Sequence, residues 1–368
     1  MNYYQRLSDI VHNSKSFDEL WGYLSLIKYL PAHTYFHSFL MYSQYDLEDI
    51  IDDFDKRTAK VVLNCINPEI NVFEVVPLDK EISNNFIIII PFNGLDDIYQ
   101  ILMISDSGFS ELIEKEVIRR LYPKSIPTFL KQNELIKALR DFSKKFHSFR
   151  LVQVTDLSTK GKYVSPLEEQ FIYTNRSWKK VTFNQAISEI NEKDEWISSI
   201  RLEWVDVKEK FSQYTKVAEC RINKLGEISY LGNIGDFNNH LVFSLAVSVQ
   251  KRLETLKHRG LRERKFEPSP PLEILYSSEI FNNVSEIRRF GNIISNYPDS
   301  SIAVLHANPY YHASIADYID GSSFNIWILS PSRILLKPQI KASPEGLERI
   351  ISYISREFLE GEISEYSG

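Results

Sequence analysis

The sequence contains a carboxylate and an amine two residues apart, Asp206 and Lys208, and side chains of these types at this spacing could support catalysis. They end the strand-like stretch 200–208, and because side chains alternate along a strand, both would lie on one face. Metal-dependent nucleases use such a pair, in which the carboxylate holds Mg²⁺ and the lysine positions or activates water. The chemistry needs a further acid upstream, and the sequence offers Glu189, Glu192 and Asp194. A solvated strand end is the alternative interpretation, because so short a pattern arises by chance.

Two histidines, His306 and His312, flank the segment 307–311 and are followed by Asp317 and Asp320. Two imidazoles with nearby carboxylates could hold zinc or transfer protons, so a hydrolase is a second chemical hypothesis. However, a spacing of about six residues matches no tight chelating pattern on a helix or a strand. We therefore predict no bound metal and no other cofactor, with Mg²⁺ required only under the nuclease hypothesis.

The densest charge in the sequence lies in residues 251–265, which include seven Lys or Arg residues and two Glu residues, a local charge of +5. The whole chain, in contrast, has a net charge of −6. Cations gathered on an acidic protein indicate an anionic partner, either nucleic acid or an acidic protein surface. The predicted contact residues of this basic segment are Lys251, Arg252, Lys257, Arg259, Arg262, Arg264 and Lys265.

Several familiar catalytic motifs are missing from the sequence. It has no Gly-x₄-Gly-Lys phosphate loop, no Gly-x-Gly-x-x-Gly fingerprint, no Gly-x-Ser-x-Gly elbow and no His-Glu-x-x-His helix. We therefore expect a binding protein rather than an enzyme. The favoured hypothesis is an accessory or scaffold protein that binds a protein partner and, through the basic segment, nucleic acid. A role in antiviral defence is a guess that no residue supports.

Composition limits the fold and the cellular location. A chain of 368 residues exceeds the usual size of one hydrophobic core, and an apolar fraction of 43% is ample for packed domains. Cys65 and Cys220 are the only cysteines and lie far apart, which excludes a disulfide framework or a thiolate zinc site. The first residues lack the profile of a signal peptide, and the apolar run 86–90 is too short to cross a bilayer. We therefore expect a cytoplasmic protein without a membrane partner.

The elements that must position these residues are typical of an α+β fold with several domains. Antiparallel or mixed sheets are expected, each closed by an amphipathic helix, with the closing helices at 110–122, 237–258 and 344–360. Capping residues mark helix starts at Ser16, at Thr182 and at Ser343, where Pro344 would occupy the first helical position.

The remaining segments are assigned to strands, one loop and one linker. Strands are predicted at 60–66, 72–76, 86–90, 98–104, 196–207, 215–223, 227–231, 272–276, 301–306, 324–329 and 333–340. The polar stretch 155–180 is predicted to be a long surface loop, and the proline-rich stretch 267–271 a linker. Three domains follow: an N-terminal α+β domain (1–125), a central α+β domain with a connector helix (126–266) and a C-terminal α/β domain (272–368).

Overall fold

The fold is α+β, as the sequence indicates, and contains two antiparallel sheets. A computed structural model describes residues 3–25, 34–54, 60–78, 85–106, 110–145, 150–161, 173–193, 195–208, 213–257, 270–307, 310–339 and 341–366. The described chain forms two compact units. The first contains residues up to Leu121 and those from Pro127 to Val249, and the second contains 122–126 and the residues from Gln250 onwards.

Some helices of the first unit begin at a side chain that caps the backbone. Their bounds are α1 (Tyr3–Asn13), α2 (Phe17–Ser25), α3 (Leu47–Phe54), α4 (Ser110–Glu116), α5 (Gln132–Lys145), α6 (Phe183–Glu192), α7 (Ile234–Asp236), a π-helical segment (Phe237–Val242) and α8 (Phe243–Lys257). The residues of α8 from Gln250 onwards belong to the second unit. At α6 the backbone N–H of Gln185 donates to Thr182 Oγ1, while the Gln185 side chain accepts from the Thr182 N–H. This reciprocal pair confirms the capping signal at Thr182. At α2 the Glu19 N–H likewise donates to Ser16 Oγ.

A single eleven-stranded sheet runs through the first unit. Its strands are β1 (Thr34–Tyr42), β2 (Val61–Asn67), β3 (Val72–Pro77), β4 (Phe86–Phe92), β5 (Leu95–Asp106), β6 (Ile126–Pro127), β7 (Arg150–Gly161), β8 (Tyr173–Thr182), β9 (Glu195–Lys208), β10 (Gln213–Asn223) and β11 (Glu227–Leu231). Ten of them follow the order β2-β3-β4-β5-β1-β11-β10-β9-β7-β8. Strand β1 therefore joins strands from the predicted domains 1–125 and 126–266 into one sheet. The division into three domains stays a prediction.

Two features of this sheet differ from the sequence-based expectation. The prediction of a surface loop at 155–180 is wrong at both of its ends, where β7 and β8 pair with each other. The alternation of β7 is hidden in the sequence because a register shift follows Val154, and because the polar residue Thr159 is buried as well as Val154 and Leu157. Strand β1 has no counterpart among the predicted strands. Its residues from Phe36 to Tyr42 are all buried, so the polar–apolar alternation that identifies a half-exposed strand is missing.

The long helix predicted at 237–258 begins slightly earlier than expected. Asn233 is its N-cap, because the Asn233 side chain accepts from the Asp236 N–H at 3.2 Å. The π-helical segment that follows places Asn238 in the core, where its Oδ1 accepts from Tyr230 OH at 2.7 Å and from Gln100 Nε2 at 3.1 Å. These two bonds connect the π-helical segment to strands β5 and β11 of the sheet.

The second unit is a six-stranded antiparallel sheet with two helices. Its elements are β12 (Leu272–Leu275), α9 (Val284–Ser295), β13 (Ser300–His306), β14 (His312–Asp317), β15 (Ser323–Ser330), β16 (Arg333–Pro338), α10 (Pro344–Glu357) and β17 (Glu362–Glu365), with the strand order β13-β14-β15-β16-β12-β17. At α10 the Gly346 N–H donates to Ser343 Oγ at 2.8 Å, which confirms the predicted cap. Strands β14 and β17 have no predicted counterpart.

Both helices of the second unit pack on one face of its sheet. Phe290 of α9 lies edge-on against Tyr311, and Arg349 of α10 bonds Asp317 of β14. Side chains alternate along β14, so Ala313 and Ile315 face the same way as Asp317, and both are fully buried. This face is called the helix face below.

Candidate functional site

The most exposed regular element of the second unit is the edge strand β13. None of its seven residues is buried, and Val304 and Leu305 are 46% and 58% exposed. Within the described residues, β13 pairs with β14 on one side only. The other side of an edge strand presents backbone N–H and C=O groups that can pair with an added chain. Strand β13 is therefore a candidate docking strand.

Charge distinguishes β13 from the other edge of the same sheet. Soluble proteins commonly place charged side chains on edge strands, which discourages pairing with other chains. The opposite edge, β17, carries Glu362 and Glu365 within four residues. The segment Ser300–His306 contains no Lys, Arg, Asp or Glu. Strand β13 thus lacks the charge that would repel an added strand.

The edge strands of the larger sheet also have features that discourage pairing with another chain. Edge strand β8 carries three basic residues: Arg176, Lys179 and Lys180. Edge strand β2 is fastened to the end of α1, because Asn67 Nδ2 donates to the carbonyl oxygens of Val11 and Ser14 at 2.9 Å and 2.8 Å. Among the four strands that end the two strand orders in the described part of the chain, β13 is the one with neither a charged residue nor such a side-chain tie.

Two apolar side chains of β13 lie at the rim of the core. Ile302 is in register with Ile315, and Val304 with Ala313, and both partners are fully buried on the helix face. A bulge then shifts the register between Val304 and His306, which leaves Leu305 outside the regular pairing. A strand added to β13 would cover Ile302 and Val304 and extend the core outward.

The hairpin formed by β13 and β14 places His306 directly opposite His312. The His312 ring stacks on Trp327, with ring centroids 4.7 Å apart and planes 22° apart. Burial lowers the pKa of His312, and the charge of His306 lowers it further. The structure therefore brings together the two histidines that the sequence separates, and it favours the neutral form of His312.

The two aspartates that follow these histidines serve a different part of the unit. Asp317 is in register with Ser300, at the far end of β14, and accepts hydrogen bonds from Arg349 Nη2 at 2.7 Å and from Tyr297 OH at 3.1 Å. Asp320 contacts the same guanidinium at 3.1 Å. Among the described residues no group of three or more His, Cys, Asp or Glu could hold a metal ion. Both aspartates are held by the guanidinium of α10, away from the histidine pair.

The acid-x-lysine pair, Asp206 and Lys208, lies at the end of β9, as the strand prediction requires. The side chains of both residues lie outside the described part of the structure. Of the proposed upstream acids, Glu189 forms an ion pair with the lysine four residues along, and Glu192 is exposed. Asp194 lies outside the described residues. The nuclease hypothesis stays a prediction.

The basic segment divides into a described part and a part outside the described residues. Lys251 is exposed on α8, whereas Arg252 Nη1 donates to both carboxylate oxygens of Glu348 at 2.8 Å and 2.9 Å. The side chains of this pair are 8% and 0% exposed, so Arg252 is part of the interior of the second unit. The predicted contact residues whose side chains lie outside the described structure are Lys257, Arg259, Arg262, Arg264 and Lys265.

The structure also brings together charged residues that form no motif in the sequence. On β9 and β10, Glu203 is opposite Glu219, and Lys216 Nζ lies 3.7 Å and 2.6 Å from their carboxylates. Arg201 also bonds Glu219, and the Glu219 hydrogen bond raises the pKa of Lys216. Both acids therefore form ion pairs with basic side chains, an arrangement typical of a charge network that stabilises the fold. The alternation of charged and apolar residues from 200 to 203 is the only sequence signal for it.

Comparison with known proteins finds no match to the sequence: no family model matches it, and no curated protein matches it. Within the described helices, none combines the length and the apolar composition needed to cross a membrane.

Proposed function

We propose that this protein is an accessory or scaffold protein that acts by binding another polypeptide, with β13 as its docking strand. The observation that carries the proposal is an uncharged edge strand in which no residue is buried. An extended segment of a partner would pair its backbone with the outer N–H and C=O groups of β13. Proteins that recognise peptides by strand addition gain affinity from such backbone pairing and specificity from alternate side chains.

The side chains of β13 define the segment that fits. Ile302 and Val304 favour aliphatic or β-branched residues on the helix face of the added strand, because such cross-strand pairs pack well. Ser301 and Ala303 are small and leave room on the other face. The preferred partner segment is therefore extended, uncharged and apolar at alternate positions.

Site-specific photo-crosslinking in the native cell tests this proposal. A photoreactive residue in place of Leu305 should attach one partner protein, and Val304→Lys should abolish that product by placing a charge on the docking strand. Leu329 is a matched control, because it is 43% exposed but lies on the internal strand β15. Equal yields at positions 305 and 329, or a product that persists in Val304→Lys, would refute the docking strand.

Nucleic-acid binding through the basic segment is a second candidate. It is favoured by the charge of +5 on residues 251–265 of a chain with a net charge of −6. Because Arg252 is held by Glu348 in the interior, the proposed phosphate contacts come from the other six cations of the segment. Binding of this kind weakens with salt, unlike the pairing of apolar strands.

A further inference from the structure

We propose that the first occupant of β13 is the β13 strand of a second copy of this chain. The two six-stranded sheets would then join into one continuous antiparallel sheet across a twofold axis. This inference rests on the docking role proposed for β13 and names the polypeptide that pairs with it. The reasons lie in the symmetry, the packing and the charge of the strand.

The symmetry of the strand allows it to pair with itself. A twofold axis perpendicular to a sheet makes two copies of an edge strand antiparallel and keeps equivalent faces on the same side. With the axis at Ala303, the middle residue of Ser300–His306, all seven residues find a partner. Ile302 then lies opposite Val304 of the second copy, and Ala303 lies opposite its own counterpart. The bulge at Leu305 falls outside these three central pairs.

The packing of the central pairs completes an apolar surface that is unfinished in one copy. Ile302 and Val304 continue the helix-face core from Ile315 and Ala313, yet Val304 is almost half exposed. In the paired sheets, Val304 of each copy covers Ile302 of the other. The two cores would thereby meet across the axis through β-branched cross-strand pairs, which are favourable in antiparallel sheets.

The charge of the strand also suits a second copy. Since Ser300–His306 contains no acidic or basic residue apart from His306, a copy of the strand opposes no carboxylates or amines. Self-pairing of the other edge, β17, would gather Glu362 and Glu365 from both copies in a four-residue strand. Two chains with a net charge of −6 repel each other at long range, and salt screens that repulsion. Dimerisation through β13 is therefore expected to hold or strengthen as salt rises.

Sedimentation velocity over a range of protein concentrations tests the association. The full chain should form dimers in a concentration-dependent manner, and the affinity should not fall with salt. An interface built on one strand is small, so a weak, reversible dimer is expected. Val304→Lys should raise the dimer dissociation constant by about tenfold or more, because two lysines would enter the apolar centre of the interface. Leu329→Lys, at similar exposure on an internal strand, should leave it unchanged.

Disulfide trapping tests the register independently of these variants. In a Cys65→Ser background, which removes the exposed native thiol, Ala303→Cys should form an intermolecular disulfide, since opposed Cα atoms lie within disulfide range. Ser301→Cys should not, because its counterpart would be displaced by roughly 13 Å along the strands. Both positions are exposed, so both substitutions are compatible with folding.

Three results would overturn the self-pairing: a wild-type chain that stays monomeric at every concentration, equal trapping at 301 and 303, or the same dimerisation in Val304→Lys and Leu329→Lys. A monomeric chain that still cross-links a different protein at position 305 would remove the second copy and keep the docking strand. A monomeric chain without that cross-link would remove both.

Discussion

Replacement of Arg252 by methionine should destabilise the second unit, because Arg252 neutralises a carboxylate in its interior. Methionine keeps much of the volume of the arginine stem but removes the guanidinium that bonds both oxygens of Glu348. Glu348 is completely buried, and its other side-chain partner in the described structure is Ser352 Oγ at 3.3 Å. A hydroxyl does not compensate a buried negative charge.

The expected cost follows from the burial of both partners. Breaking a buried ion pair by removing one partner typically costs about 3–5 kcal/mol, because the other charge stays desolvated. A whole domain is stable by only about 5–15 kcal/mol, so this loss is a large part of the total. Lys251→Met changes the exposed neighbour in the same way and should stay within about 0.5 kcal/mol of the wild type.

Hydrogen exchange of α10, followed by mass spectrometry, measures the effect where Glu348 lies. Arg252→Met should accelerate exchange in α10, and urea unfolding should give the matching loss of free energy. The double variant Arg252→Met/Glu348→Met should recover most of the stability, since buried pairs replaced by apolar residues are often neutral or better. A loss below about 1 kcal/mol in the single variant, or a double variant as unstable as the single one, would refute this reasoning. If Arg252→Met destabilises the second unit as expected, any loss of nucleic-acid binding in an Arg252 variant is due to impaired folding rather than to a lost phosphate contact.

Other consequences of the structure can be measured in the same protein. Burial raises the pKa of Asp320, but the hydrogen bond from Ser343 and the charge of Arg349 outweigh it and lower the pKa below 3.8. Asp320 therefore stabilises the fold above about pH 4 and loses that effect as pH falls through its folded pKa. In Asp320→Asn, the free energy of unfolding should fall less steeply with pH in this acidic range. An unchanged pH dependence would contradict this. An NMR titration should place the midpoint of His312 below 6.5, and His306→Asn should move it upward; an unmoved midpoint would contradict their contact. In the basic segment, a triple alanine variant should reduce the salt dependence of nucleic-acid affinity by at most about three units of slope, alike for unrelated sequences, and no affinity at low salt would end that candidate function. The three changed residues are Arg259, Arg262 and Arg264.

Local interactions are the part of this fold that the sequence predicts best. The caps at Thr182 and Ser343 depend on side chains within three residues of the backbone groups they bind, so their spacing is visible in the sequence. Strand β1 is different, because burial on both faces removes its alternation. The helix predicted from residue 237 has its N-cap at Asn233, and sequence alone does not distinguish it from Asp236, because Asn and Asp cap helices equally well.

The candidate site depends on long-range contacts, which limits what its sequence reveals. Arg252 looks like a surface cation because its partner, Glu348, lies 96 residues later. His306 and His312 become neighbours through the register of a hairpin, not through their spacing. The run of uncharged residues in β13 is visible in the sequence, but its exposure follows from the strand order of the folded sheet.

The pairing of β1 with β11 has a consequence for synthesis of the protein. Phe36 is in register with Tyr230, so the ribosome must add 194 residues, the difference between the two positions, before that pair can form. At about 5–20 residues per second, this delay lasts roughly 10–40 s. During this time β5 can already pair with one side of β1, but the backbone groups of β1 that pair with β11 have no partner strand. Nascent chains, and fragments that stop before Glu227, therefore present an apolar strand to chaperones or to one another, and such fragments should be prone to aggregation.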